Sequence, residues 1–265
     1  MPGFRIFVAA TAAFLAASTA LPLCADSLDA ANIRLVEPGE TVPVIKIPDG
    51  IYLRTPNDPD DIIWARVPEF RVTMAMAPPV HRSVELRYSG DYPERDLVVQ
   101  LARTSERFYV RLRWADPTED TATLRDRFRD GAAIEFSDSD DSVSYMMGTD
   151  AQNPVNIWYW HPDDNRVESL AAGSPGSLTR LERQPVTGAS AYRTGRSPDD
   201  SQWIVVMSRP LASEGDHQVS FERDTIPVAF ALWQGADAQR DGLKLVSQNW
   251  IFARMTPDAA AAAGN

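Results

Sequence analysis

The chain is predicted to fold as a mainly β protein, an antiparallel β-sandwich with one or two short helices. Three observations predict it. Short runs of β-branched and aromatic residues recur along the chain, several of them alternate apolar with polar, and the segments between them are rich in Pro, Asp, Gly and Ser. In order the runs are 41–47, 83–88, 97–102, 107–114, 132–136, 155–160, 202–208, 226–233 and 246–254. The alternation is cleanest at 107–114, where Phe108, Val110, Leu112 and Trp114 share one face and Arg107, Tyr109, Arg111 and Arg113 the other. That is the pattern of an antiparallel strand with one buried side. A helix is expected at 120–130, capped by Asp120 or Thr121 and stopped at Gly131. Residues 173–198 read as a loop-rich excursion from the sandwich, and 256–265 as a frayed tail. No internal repeat and no internal boundary is visible, so 26–255 is expected to form a single domain.

Composition narrows the function classes. The 265 residues hold 26 Lys+Arg against 37 Asp+Glu, a formal net charge of -11, which argues against a nucleic-acid binder. At 44% hydrophobic and 24% charged, the chain can bury a sizeable core, and disordered or collagen-like readings fail. The lone cysteine, Cys24, excludes disulfide frameworks, zinc–cysteine sites and iron–sulfur clusters within the chain. Of the basic residues only Lys46 and Lys244 are lysines.

Residues 1–25 read as a secretory signal peptide. Arg5 gives a positive start, 6–23 is apolar and Ala-rich, and Leu23-Cys24-Ala25 precedes Asp26 as a cleavage site. A membrane anchor fits less well, because Thr11, Ser18, Thr19 and Pro22 dilute the apolar stretch. A lipoprotein site at Cys24 is disfavoured by Leu23, and no twin Arg precedes the stretch, so a Sec-type route is the simpler expectation. The mature chain would carry -12, one less than -11 for the lost Arg5, and no thiol.

Catalytic motifs are absent: there is no G-x-S-x-G, H-E-x-x-H, P-loop or dinucleotide fingerprint. His81, His161 and His217 are scattered, which gives a hydrolytic triad no support. The acidic runs 58–61 and 138–141 lack the spacing of a calcium loop and read as solvated surface. Two segments stand out instead. One is S-Y-M-M-G-T-D (144–150) followed by N-P-V-N-I-W-Y-W (153–160). The other is A-F-A-L-W-Q-G (229–235) with Q-R-D-G-L-K-L-V-S (239–247) and Trp250. On residue chemistry alone, Met146-Met147-Gly148 is core packing and Lys244 a surface lysine at a strand edge. A secreted carbohydrate-binding module, with Trp158, Trp160 or Trp233 stacking on sugar rings, is the alternative at that level.

These motifs together, with F-R-D-G-A-A-I-E-F at 128–136, resemble the haem b-binding γ subunits of periplasmic molybdenum oxidoreductases. They are the type II branch of the dimethyl sulfoxide reductase family, which includes ethylbenzene dehydrogenase, dimethylsulfide dehydrogenase, selenate reductase and chlorate reductase. The resemblance spans about 42–255 and depends on the order and spacing of several motifs. It implies a β-sandwich holding one non-covalent haem b with a methionine and a lysine as axial ligands. By position these are Met147, with Met146 as alternate, and Lys244, with His161 as alternate. Met147 comes first because it precedes Gly148, and adjacent strand residues would face opposite ways. With no C-x-x-C-H and no mature thiol, a haem here is not of the covalent c type. Ile157, Trp158, Trp160, Phe230, Leu232 and Trp233 could wall the pocket, although ordinary core packing explains them equally well. The resemblance also implies partners: a molybdopterin-containing α subunit, an iron–sulfur β subunit and a soluble c-type cytochrome. No catalytic residue is expected in this chain, and the direction of electron flow is not written in it. The acidic charge would steer a basic cytochrome, and simple solubility of a secreted protein accounts for it as well.

Overall fold

The computed structural model describes residues 32–49, 57–88, 92–139, 142–212 and 214–255. The expected signal segment, Cys24 and the expected frayed tail lie outside them. Among the described residues thirteen strands form: β1 Thr41–Lys46, β2 Phe70–Met76, β3 Arg95–Arg103, β4 Arg107–Ala115, β5 Gly131–Phe136, β6 Val155–His161, β7 Arg166–Ala172, β8 Thr179–Arg180, β9 Thr187–Arg193, β10 Gln202–Pro210, β11 Thr225–Trp233, β12 Leu245–Ser247 and β13 Ile251–Met255. They run β8-β7-β6-β5-β11-β12-β2-β3-β4-β10-β9, with β13 joining β11 to β1 and β1 joining β3. Pairing is antiparallel except where β1 meets β13 and β3. The layers β7-β6-β5-β11 and β2-β3-β4-β10 face one another across one apolar core, and the expected β-sandwich is what forms.

Alternation decides what enters that core. From β4 come Phe108, Val110, Leu112 and Trp114, and from β10 Trp203, Val205 and Met207. They meet Ala132, Ile134, Phe136, Trp158, Trp160, Phe230 and Leu232 from the other layer. Aromatic rings interlock at its centre, with Phe108 stacked on Phe221 at 4.3 Å between centroids and Trp158 tilted on Phe136 at 4.7 Å. Arg209 enters this core fully buried, its guanidinium 4.5 Å from the Phe221 centroid and bonded to the Val219 carbonyl and Gln218. Burial pulls its pKa down to about 10, so it remains cationic at neutral pH.

Several expected elements are corrected. Residues 83–88 are not a strand: Arg82–Glu85 form α1, a short helix (Ser83–Glu85 within it), capped by His81, whose ring accepts from the Ser83 N–H. The Val84/Leu86 alternation misleads there because Leu86 is 79% exposed. The 246–254 run is two strands, since Gln248-Asn249 turns the chain between β12 on β2 and β13 on β1. The supposed excursion 173–198 includes β8 and β9, which extend the two sheets as edge strands. Strands β2 and β7 were not expected at all.

The expected helix at 120–130 does not form, because long-range bonds outcompete local ones. Asp130 turns its carboxylate to the N–H groups of Asp120 and Gly235 and to the Trp203 indole, and its own N–H bonds the Asp120 carbonyl. The segment closes as a loop against 233–240, where Arg240 lies 4.0 Å over the Phe128 ring. A Cβ on Gly235 would strike the Phe128 carbonyl oxygen and stand 2.7 Å from the Asp120 Cβ. Gly235→Ala is therefore expected to cost roughly 1–3 kcal/mol, as overpacking does, measured by urea unfolding. Among the described residues no helix is long and apolar enough to cross a membrane.

Candidate functional site

The outer face of the β6-β5-β11 layer is unlike its inner face. Its floor is built of small residues, with Ala133 from β5, Ala229 and Ala231 from β11, and Ala172 from β7, joined by Ile157, Val246 and Trp250. Residues 142–150 cross over it. The Trp250 indole holds the crossing by donating to the Val143 carbonyl at 2.7 Å. Tyr145, Met146, Met147, Tyr159, Trp233 and Phe252 pack half-buried on this floor.

The Met146-Met147-Gly148 segment is a turn rather than a strand, so the expectation that neighbouring residues face opposite ways is corrected in its reason. Gly148 N–H bonds the Ser144 carbonyl at 2.9 Å, and Ser144 N–H bonds the Thr149 hydroxyl. Met147 has φ +69° and Gly148 φ +86°, two left-handed residues in succession. Glycine holds that conformation freely, whereas for methionine it costs on the order of 1–2 kcal/mol. Gly148 is also needed for space: a Cβ there would lie 2.5 Å from the Ala172 carbonyl oxygen. Gly173 answers from below, since its Cβ would lie 2.5 Å from the Asp150 carbonyl. Two glycines thus let the turn rest directly on the end of β7.

Lys244 reaches the same place from the far side. It sits just before β12, with its carbonyl bonded to Ala77 N–H, and its amine lies 3.6 Å from the Met147 sulfur and 5.1 Å from the Trp233 ring centroid. Residues 97 positions apart in sequence are thereby in contact. Burial pushes the Lys244 amine below its usual range, and the nearby Glu135 carboxylate opposes that shift. Burial likewise lifts Glu135 to about 8, against the pull of Lys244 and of the Met147 backbone N–H. Desolvation drives both members toward their neutral forms. A neutral amine has a free lone pair, and a thioether is a soft donor that never carries charge. The pair is thus a donor set for a soft or borderline metal. One Glu135 oxygen is buried without a hydrogen-bond partner.

The other sequence candidates separate by face. Ile157 and Trp233 belong to the outer floor. Trp158, Trp160, Phe230 and Leu232 point the opposite way, into the sandwich core, so they are core residues and not walls of this site. Met146 packs on the floor with its N–H bonded to the Ser144 hydroxyl. His161 ends β6, buried, with Nδ1 hydrogen-bonded to Asp163 and 3.4 Å from Asp164. Asp163 is in turn paired with Arg129, so the imidazole is already engaged. Cavities of about 460 and 250 Å³ open elsewhere, the larger beneath the 3-10 turn Ile62–Arg66 and lined by Trp64, Glu69, Arg111 and Arg113. Sequence reasoning missed Glu135; its only signal was an acidic residue in an otherwise apolar strand, G-A-A-I-E-F.

The W-Q-G and F-R-D-G motifs turn out to be structural. Gln234 donates to Asp116 and Gly235 to Asp130, tying the end of β11 to the end of β4 and to the start of β5.

A model of the ethylbenzene dehydrogenase family matches residues 61–184. The γ subunit of dimethylsulfide dehydrogenase from Rhodovulum sulfidophilum is 87% identical over 265 residues, the whole of both chains. A proposed respiratory nitrate reductase haem subunit from Haloferax mediterranei is 38% identical over 199 residues, 74% of this chain and 68% of that one. The γ subunit of chlorate reductase from Ideonella dechloratans is 35% identical over 194 residues, 72% of this chain and 77% of that one. Among solved structures, a family 9 carbohydrate-binding module from Caldicellulosiruptor kristjanssonii in complex with glucose aligns with a TM-score of 0.45 at 11% identity, over 83% of this chain and 97% of that one. That likeness is too distant to bear on what this chain binds. At 87% identity over its full length, and with the chlorate reductase subunit beside it, the chain belongs to the γ subunits of the type II dimethyl sulfoxide reductase family, the non-catalytic members of their enzyme complexes.

Proposed function

We propose that the chain holds one haem b through Met147 and Lys244 and serves as the periplasmic electron-transfer subunit of a dimethylsulfide dehydrogenase-like molybdenum oxidoreductase. It relays electrons between an iron–sulfur β subunit and a soluble c-type cytochrome, while a molybdopterin-containing α subunit carries out the substrate chemistry. The observation that carries this reading is the contact of the Lys244 amine with the Met147 sulfur on a buried apolar floor, 3.6 Å apart, in a chain of this family. Bound there, haem iron would supply a reversible one-electron couple. The chain's own residues do the rest. Lys244 offers an amine that burial moves toward its neutral form, Met147 offers a thioether, and Ala133, Ala229 and Ala231 give a floor of small apolar side chains. With both donors used, no position is left for substrate, which suits electron transfer. The carbohydrate-binding alternative loses two of its three residues, because Trp158 and Trp160 are fully buried in the core and Trp233 alone stays half-buried on the outer floor.

The test is spectroscopic. The purified chain is expected to carry a Soret band with low-spin character and to be colourless only when stripped. Met147→Ala is expected to raise the high-spin fraction and lower the midpoint potential, because a thioether favours ferrous iron. Met146→Ala is expected to leave both unchanged. If Met146→Ala has the larger effect, the ligand is the other methionine; a chain that neither contains nor takes up haem refutes the proposal.

Reduction of a basic cytochrome by the assembled complex is further expected to slow as salt is raised from about 0.01 to 0.15 M, where the screening length shrinks from about 30 to 8 Å. Stopped-flow rates across that range check this, and a salt-independent rate would assign the acidic charge to solubility alone.

A further inference from the structure

Strand β11 alternates between the two faces, and its outer positions read Ala229, Ala231 and Trp233, two small residues followed by a bulky one. The surroundings of that indole hold it in place. Its N–H donates to the Asp241 carbonyl at 3.1 Å, on the connection that leads into Lys244. The Tyr159 ring meets it edge to face, 5.1 Å between centroids and 70° between planes. Gly131, its register partner on β5, leaves room for both rings: a Cβ there would lie 3.2 Å from Tyr159 and 3.4 Å from Trp233. The Lys244 amine lies over the ring so held, 5.1 Å from its centroid and within reach of a cation–π contact.

A lysine ligand must be held and yet left open. Its four-carbon stem is flexible, and its nitrogen needs a free lone pair to act as a donor. A carboxylate at hydrogen-bonding distance would favour the ammonium form, which has no lone pair. An aromatic face attracts the N–H groups of a charged or a neutral amine alike, and it offers no lone pair of its own to compete for a metal. We infer that Trp233 is a positioning residue of this site: its ring gathers the N–H side of the Lys244 amine and so turns the nitrogen lone pair toward the Met147 sulfur, 3.6 Å from that nitrogen. The inference rests on the haem reading above and deepens it by naming the side chain that orients the lysine ligand. A contact of this kind governs affinity roughly 2–30-fold, from an exposed to a desolvated cation–π pair.

The experiment compares full-length wild-type chain with Trp233→Leu and Trp233→Phe, each stripped and titrated with haem b while affinity and spin state are followed optically. Urea unfolding of the stripped proteins runs in parallel. Leucine keeps an apolar side chain and removes the aromatic face; phenylalanine keeps a face for the amine. Trp233→Leu is expected to bind haem roughly 2–30-fold more weakly and to show a larger high-spin fraction in the protein that is loaded. Trp233→Phe is expected to recover most of the affinity and of the low-spin spectrum. Spin state reports on axial ligation in the loaded molecules, so it reads the role of Trp233 even where leucine also lowers stability. A residue that merely walls the pocket would lose affinity or stability in both variants and leave the bound haem low-spin. That pattern overturns the inference while the haem reading stands, as does Trp233→Leu with wild-type affinity and spectrum, or a phenylalanine variant as high-spin as leucine. A wild-type chain that takes up no haem overturns the haem reading and the inference together.

Discussion

Lys244→Ala is expected to abolish low-spin haem in this protein, with affinity falling by at least the roughly 10–100-fold typical of losing an orienting group. The variant removes one of two donors at the site, and no other amine can replace it: Lys46, the one other lysine, is half-buried in β1 beside Asp49. His161→Ala is expected to leave the spectrum unchanged, because its imidazole is held by Asp163 at the end of β6. The two variants discriminate sharply. Loss of low-spin character in His161→Ala, with Lys244→Ala unaffected, would transfer the second ligand to histidine and sink the lysine assignment. Stability gives a useful control. The alanine at 244 removes a buried amine from beside Glu135, so the stripped Lys244→Ala chain should lose some stability from the carboxylate left alone. Lys244→Met in the same test separates loss of the donor from loss of packing.

The sandwich was legible because its signal is local. In β4, β6, β10 and β11 the apolar residues alternate or run on over seven to nine positions, and both patterns identify half-buried or fully buried strands. Strand β9, T-G-A-S-A-Y-R, has small residues and a glycine, so its pairing with β10 is dictated by the neighbour and not by its own propensity. Strand β7 is similar, and its Ser169 and Glu168 read as loop until Gln184 and Arg180 are seen to bond them. The false helix at 120–130 arose from a capping pattern whose Asp residues bond across the fold. The site divides in the same way. Met147 and Lys244 were reached through the order of motifs, yet nothing local to either residue shows that they touch, since their contact depends on β11, β12 and the 142–150 crossing being folded. Which aromatics wall the site was likewise undecidable before the faces of β6 and β11 were known: Trp158 and Ile157 are neighbours in sequence and lie on opposite sides of a sheet.

Asp116→Asn is expected to make the protein more stable at pH 8 than wild type while changing little at pH 4, apart from a constant offset. Asp116 is fully buried after β4; one oxygen takes the Gln234 amide and Thr118 N–H, and the other has no partner. Burial, then the neighbouring Asp130 carboxylate, raises its pKa to about 7, and burial raises Asp130 to about 6. A carboxyl group whose folded pKa exceeds its unfolded value of about 3.9 binds its proton more tightly in the native state. Its contribution is therefore fully present below about pH 4 and is lost as pH rises through about 7. At roughly 1.4 kcal/mol per pH unit of separation, the loss is on the order of a few kcal/mol, shared between the two coupled carboxyls. Asparagine at 116 cannot ionise, so it removes the larger part of that slope and also relieves Asp130 of a like charge. Urea unfolding free energies measured from pH 4 to 8 should diverge steadily, the variant gaining on wild type as pH climbs. Parallel curves would mean that Asp116 is ionised in the native state throughout, its charge met by Arg95. Because Gln234 and Gly235 at the β11 end bond Asp116 after β4 and Asp130 before β5, and β11 pairs with β5 along the floor beneath Met147 and Lys244, that face should be firmest when Asp116 keeps its proton.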